Sequence, residues 1–168
     1  MIFLSSAYLT ELAVLAYAAL GKARDLDGFA ASVAGYRILP ESLTPAVARL
    51  VVAAELASVL LLAMPFTRFW GAMLATVLFA AFVIAMASAL RRGLRVDCGC
   101  FSPTLADPIG PGTLVRTGLL LALAVMALAA ARDPFQLADL LVATLMLVLV
   151  VMVSELVKLL TGPIGRSA

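Results

Sequence analysis

Residues 69–90 have the sequence FWGAMLATVLFAAFVIAMASAL, a run of 22 residues without a charged side chain. A helix rises about 1.5 Å per residue and the hydrocarbon core of a bilayer is about 30 Å thick, so roughly 20 apolar residues cross it. This run is therefore typical of a transmembrane helix. Four further runs of similar length and character occur, at residues 2–21, 45–64, 113–131 and 138–160. The sequence predicts five membrane spans.

The composition agrees with a membrane environment for the whole chain. Of the 168 residues, 64% are hydrophobic and 13% are charged, whereas soluble domains are about half apolar and a quarter charged. A small soluble core does not have room for this excess of apolar side chains. We expect a single membrane domain over residues 1–168, with an all-α polytopic bundle fold. The net charge of +2 is too small and too dispersed for a nucleic-acid-binding surface.

The first connection, residues 22–44, is too long for a tight turn and predicts a short interfacial helix after the first span. Asp25 or Asp27 is a candidate cap at its start, and Pro40 prevents its continuation. The first span lacks the basic segment of a secretory signal, so we interpret it as an uncleaved helix. The apolar residues of the connection recur at helical spacing: Leu26, Phe29, Ala30, Val33 and Tyr36.

The distribution of basic residues predicts the orientation of the chain. With five spans, ten of the twelve Lys and Arg residues fall on one face of the membrane, and Arg68 and Arg132 fall on the other. Because basic loops stay in the cytoplasm, we expect the N-terminus outside and the loop at residues 93–112 on the cytoplasmic side. The ten are Lys22, Arg24, Arg37, Arg49, Arg91, Arg92, Arg95, Arg116, Lys158 and Arg166.

Both cysteines lie in that loop, as Cys98-Gly99-Cys100. A Cys-x-Cys unit brings its Cα atoms to disulfide distance only in a bent geometry, so a bridge between them is expected to be strained and easily reduced. Thiol-disulfide exchange is one interpretation of the pair. Binding of a soft metal ion such as Cu(I), Zn(II) or Hg(II) by two thiolates is another, and two buried, inert thiols are a third.

Two carboxylates lie inside predicted spans. Glu11 is near the middle of the first span and Glu55 near the middle of the second. A carboxylate at the bilayer centre costs on the order of 3 kcal/mol by insertion scales, so each is expected to face the bundle interior, to be protonated, or to hydrogen-bond to a neighbour such as Ser58 or Thr10. A proton relay or a quinone-side site is the functional interpretation, and polar contacts between helices are the structural one.

Several of these residues together resemble a known family. The stretch GKARDLDGFAASVAGYRILP at 21–40, Glu55 within AAELASVLLL, and VDCGCF at 96–101 are similar to MauE, an integral membrane methylamine-utilisation protein of the DoxX-like group. The resemblance implies a DoxX-like four-helix core with an additional C-terminal span, in the inner membrane of a bacterium.

The resemblance also implies a function. It predicts a thiol-disulfide redox component that acts with a thioredoxin-like partner to form disulfides in a client enzyme subunit, which in the family is that of methylamine dehydrogenase. Cys98 and Cys100 are then the redox pair. From their positions inside the spans, Glu55 and Glu11 are predicted to hold or move a proton, and turnover of a two-cysteine protein requires either the thioredoxin-like partner or a quinone as a second redox agent. A soft-metal carrier and a structural subunit of a larger membrane complex remain alternatives. Disulfide formation belongs outside the cytoplasm, so the predicted cytoplasmic position of the cysteines requires either a re-entrant loop or an electron relay.

Overall fold

A computed structural model describes residues 2–94, 96, 109–129, 144–145, 147–153 and 156. These residues form helices and connecting turns, with no strand among them, so the all-α prediction is confirmed. The five main helices and one short 3-10 helix at Glu41–Leu43 follow in chain order: α1 Ile2–Arg24, α2 Leu26–Gly35, α3 Thr44–Ala63, α4 Arg68–Arg91 and α5 Pro111–Ala129.

Three helices in the described part of the chain are long and apolar enough to cross a membrane. They are Glu41–Ala63, Arg68–Arg91 and Pro111–Ala129, and they match the predicted spans 45–64, 69–90 and 113–131. The chain is thus a multi-pass membrane protein. The predicted span 2–21 lies within α1, and most of the predicted span 138–160 lies outside the described residues, so these two crossings stay predictions.

The short helix predicted after the first span is present as α2, and Asp25 rather than Asp27 caps it. Its interfacial position stays a prediction. The backbone N–H of Gly28 donates a hydrogen bond of 2.9 Å to Asp25 Oδ1, which satisfies one of the free N–H groups at the helix start. Arg37, just after the helix, has a φ of 51°, in the left-handed region that ends a helix. Arg92 then ties this end to α4 by donating to the carbonyls of Tyr36 and Arg37, at 2.6 and 3.2 Å.

The helix α5 begins two residues earlier than the predicted span. The hydroxyl of Thr113 accepts a hydrogen bond of 2.8 Å from the N–H of Gly110, just before the helix. Arg116 is therefore the sixth residue of the helix, beyond its first turn, and half-buried.

The helices pack around one main apolar core. The helix α4 lies against α3 and α5, α1 lies against α3 and α5, and α2 packs on α3. The start of α4 packs closely on the end of α3, so that a Cβ atom at Gly71 would lie 2.7 Å from the backbone nitrogen of Leu62. This close approach explains the glycine. The described core contains Val14, Leu15, Leu62, Ala72, Ala75, Phe79, Leu120, Leu123, Ala124, Ala127 and Val150.

Candidate functional site

An ion pair between Lys22 and Glu55 lies inside the bundle. The ammonium group of Lys22, in the last turn of α1, contacts Oε1 of Glu55, and the two side chains are 0% and 1% exposed. The prediction that the first loop begins at residue 22 is wrong, because α1 continues to Arg24 and keeps Lys22 on its buried face. The orientation predicted from the basic residues stays a prediction.

Two aromatic rings complete the surroundings of the Lys22 ammonium. It lies 5.2 Å from the ring centre of Phe29 in α2 and 4.9 Å from that of Phe82 in α4. Both distances are within the range of cation–π attraction, which strengthens when water is excluded. Side chains from α1, α2, α3 and α4 therefore meet at one buried positive charge.

The partner of Glu55 differs from the one expected. The sequence analysis proposed a hydroxyl such as that of Ser58 or Thr10. Ser58 instead donates a hydrogen bond of 2.9 Å to the carbonyl of Ala54, four residues back in its own helix, a common way for a helical serine to satisfy itself. The second oxygen of Glu55, Oε2, is buried without a hydrogen-bond partner among the described residues.

Glu11 shares the buried face of α1 with Lys22 but has no such compensation. The two residues are 11 positions apart, close to three full helical turns. Glu11 is 1% exposed, and neither carboxylate oxygen has a hydrogen-bond partner among the described residues. A buried, unpaired carboxylate is highly unfavourable, whereas the neutral acid is not. The proton-holding role predicted for Glu11 stays a prediction.

Lys22, Phe29 and Phe82 were not predicted as members of this site. The spacing of Glu11 and Lys22 was an available signal, since 11 residues place both on one helix face. Nothing in the local pattern pointed to Phe82, which is one of many apolar residues in α4 and 60 positions away from Lys22.

Cys98 and Cys100 lie outside the described residues, but both ends of their segment are described. The N–H of Ile109 donates a hydrogen bond of 2.9 Å to the carbonyl of Val96, so the two ends of residues 97–108 are held together. Ile109 is buried in a cluster with Met86 and Ala89 of α4. Val96 packs so closely on α2 that a Cβ atom at Gly35 would lie 3.0 Å from its Cγ1.

The described residues contain no group of three or more His, Cys, Asp or Glu side chains placed to hold a metal ion. Because the two cysteines fall outside that part of the chain, the soft-metal alternative stays a prediction. The site that the structure does describe is made of the Lys22 ammonium group, the Glu55 carboxyl group and two aromatic rings. Glu11 is not part of it, because three helical turns along α1 separate it from Lys22 by roughly 16 Å.

Comparison with known proteins agrees with the resemblance in the sequence. The sequence profile of the family described as "Methylamine utilisation protein MauE" matches residues 1–130. The Methylamine utilization protein MauE of Methylophilus methylotrophus is 38% identical over 125 residues, which are 73% of this chain and 64% of that protein. The chain thus spans less than two thirds of that relative's length, and no solved structure matches it. This multi-pass helical membrane protein belongs to the MauE family.

Proposed function

We propose that this chain is the membrane component of a thiol-disulfide exchange system that matures a client protein of methylamine utilisation, together with a thioredoxin-like partner. Membership of the MauE family supports the pathway. The Cys98-Gly99-Cys100 sequence supports thiol-disulfide exchange, because a disulfide between such close cysteines is expected to be strained and easily reduced. The observation that carries the proposal is the hydrogen bond of 2.9 Å from the N–H of Ile109 to the carbonyl of Val96. This bond holds together the two ends of residues 97–108, the cysteine segment.

The proposed exchange balances with the disulfide of the thioredoxin-like partner as the oxidant. A client thiolate attacks one sulfur of the Cys98–Cys100 disulfide, and the other sulfur leaves as a thiolate. A second client thiolate then attacks the mixed disulfide, which releases the oxidised client and leaves Cys98 and Cys100 reduced. Two electrons and two protons pass from the client to the pair. The disulfide of the thioredoxin-like partner reoxidises the pair by the same steps in reverse.

In this proposal the Lys22–Glu55 pair positions the cysteine segment and does not take part in exchange. The ammonium joins α1 to Glu55 of α3 and lies against Phe29 of α2. The same helix α2 carries Gly35, on which Val96 packs at the start of the cysteine segment. The buried pair is thus connected to the segment through a rigid helix of ten residues. Glu11 is proposed to hold a proton in the bundle.

Trapping of mixed disulfides tests the proposal. Full-length Cys98→Ser and Cys100→Ser variants are produced in cells that contain the methylamine-utilisation proteins, and adducts are separated without reductant. The variant that retains the attacking cysteine but lacks the resolving one is expected to accumulate an adduct with a thioredoxin-like protein or a client. The double variant is the control and traps nothing.

The same variants separate the alternatives. Absence of an adduct from both single variants contradicts the exchange proposal. Stoichiometric metal in the reduced protein, lost in the double variant, would favour the soft-metal carrier. Normal client maturation with the double variant would favour a structural subunit with inert thiols.

A further inference from the structure

An apolar cavity of about 220 Å³ lies beside the Lys22–Glu55 pair, between α2, α3 and α4. Phe29 and Phe82, whose rings face the Lys22 ammonium, also form part of its wall. Val47 and Val51 from the first two turns of α3 and Ala85 near the end of α4 line it further. The cavity therefore lies at the end of the bundle that α2 covers.

The chemistry of the wall excludes water as a stable occupant. Among the lining side chains only that of Tyr36 carries a polar group. A water molecule needs two to four polar partners to remain in a cavity, and apolar cavities of this order of size take apolar ligands instead. In a membrane protein the nearest apolar molecules are the acyl chains of lipids.

Exposed positive charges lie beside the cavity. Tyr36 and Ile38 line the cavity and flank Arg37 in the chain, and Arg37 is exposed. Arg92 is also exposed and donates to the carbonyls of Tyr36 and Arg37 and, through Nε, to the carbonyl of Ser88. A guanidinium group has five N–H donors, so two of those of Arg92 are not used in these contacts. Clustered basic side chains next to apolar grooves between membrane helices suit anionic lipid head groups.

We infer that the protein binds an anionic phospholipid at this place, with an acyl chain in the cavity and the phosphate beside Arg37 and Arg92. The apolar wall selects the chain, and the two guanidinium groups select the negative head group. The inference does not depend on the proposed exchange reaction, because it uses neither cysteine. It places a lipid against the two aromatic rings that hold Lys22.

Native mass spectrometry of the full-length protein in detergent tests the inference, with phosphatidylglycerol and phosphatidylcholine of identical chains as probes. The wild-type protein is expected to bind phosphatidylglycerol roughly tenfold more tightly than phosphatidylcholine, because basic side chains attract an anionic head group. Arg37→Asn should reduce that preference by about fivefold, the effect of one basic residue near an anionic surface. Asparagine tolerates the positive φ of 51° at this position. The matched control is Arg49→Gln, an exposed charge in α3 between Val47 and Val51 but half a helical turn away from them.

A second pair of variants tests the cavity itself. Ala85→Phe fills it and is expected to reduce binding of both lipids at least fivefold. Val77→Phe, at a position of the same helix that is 59% exposed, should leave binding unchanged. Equal affinity of the wild-type protein for the two lipids, or an equal effect of Arg37→Asn and Arg49→Gln, would overturn the inference. So would purification with a bound quinone that Ala85→Phe expels.

Discussion

Glu11 and Glu55 are both buried carboxyl groups in the bundle, but their surroundings differ. Glu55 has the ammonium of Lys22 at one oxygen, and that ammonium in turn lies against two aromatic rings. Glu11 has no hydrogen-bond partner among the described residues at either oxygen. Glu55 thus links two helices through an ion pair, whereas Glu11 makes no such link among the described residues.

This difference indicates that Glu55 stabilises the fold, whereas Glu11 is available for proton transfer. An ion pair out of water holds its helices together because separation of the partners would leave a bare charge in an apolar medium. A lone buried carboxyl group contributes no such link and is most stable with a proton bound. This contrast supports the two roles proposed above, positioning for Glu55 and proton holding for Glu11.

The largest expected effect comes from breaking the ion pair on one side. Glu55→Leu leaves the Lys22 ammonium buried and unpaired, and we expect the free energy of unfolding to fall by about 3–5 kcal/mol. The double variant Lys22→Leu/Glu55→Leu should recover most of that loss. Unfolding of the purified protein in detergent micelles measures both. Glu41→Gln, an exposed carboxylate just before α3, is the control, and a loss in Glu55→Leu no larger than in Glu41→Gln would contradict the assignment.

Replacement of Glu11 is expected to raise the free energy of unfolding rather than lower it. Glu11→Leu removes a buried polar group that has no partner among the described residues, so the free energy of unfolding should rise by about 1–2 kcal/mol. The same unfolding assay measures it. Destabilisation as large as that of Glu55→Leu would mean that Glu11 links helices too, and the comparison would fail.

The smallest expected effect concerns the aromatic contacts of Lys22. Phe82→Leu loses packing in any background, but its cation–π contribution exists only while Lys22 is charged. We expect Phe82→Leu to be about 0.5–2 kcal/mol more destabilising in the wild-type protein than in Lys22→Leu/Glu55→Leu. Phe66→Leu, at a side chain that is 98% exposed in the turn before α4, should show no such difference. An equal loss of unfolding free energy from Phe82→Leu in both backgrounds would show that the Phe82 ring does not stabilise the Lys22 charge.

Most of the fold followed from local properties of the sequence. Apolar length predicted three of the described helices to within two residues at either end, and the Asp25 cap marked the start of α2. The end of α2 at Gly35 did not follow from Pro40, because the left-handed Arg37 ends the helix earlier. The Lys22–Glu55 pair did not follow, because its partners are 33 residues apart and their contact depends on how α1 packs on α3. A charge at the end of an apolar run also looks like a loop residue until the helix is seen to continue past it.

Infrared spectroscopy of the protein in lipid at neutral pH tests most directly the claim that Glu55 is ionised beside Lys22 while Glu11 holds a proton. The carbonyl band of a protonated carboxylic acid should be present in the wild-type protein, absent in Glu11→Gln and retained in Glu55→Gln. A band that persists in Glu11→Gln, or that disappears in Glu55→Gln, would contradict the account.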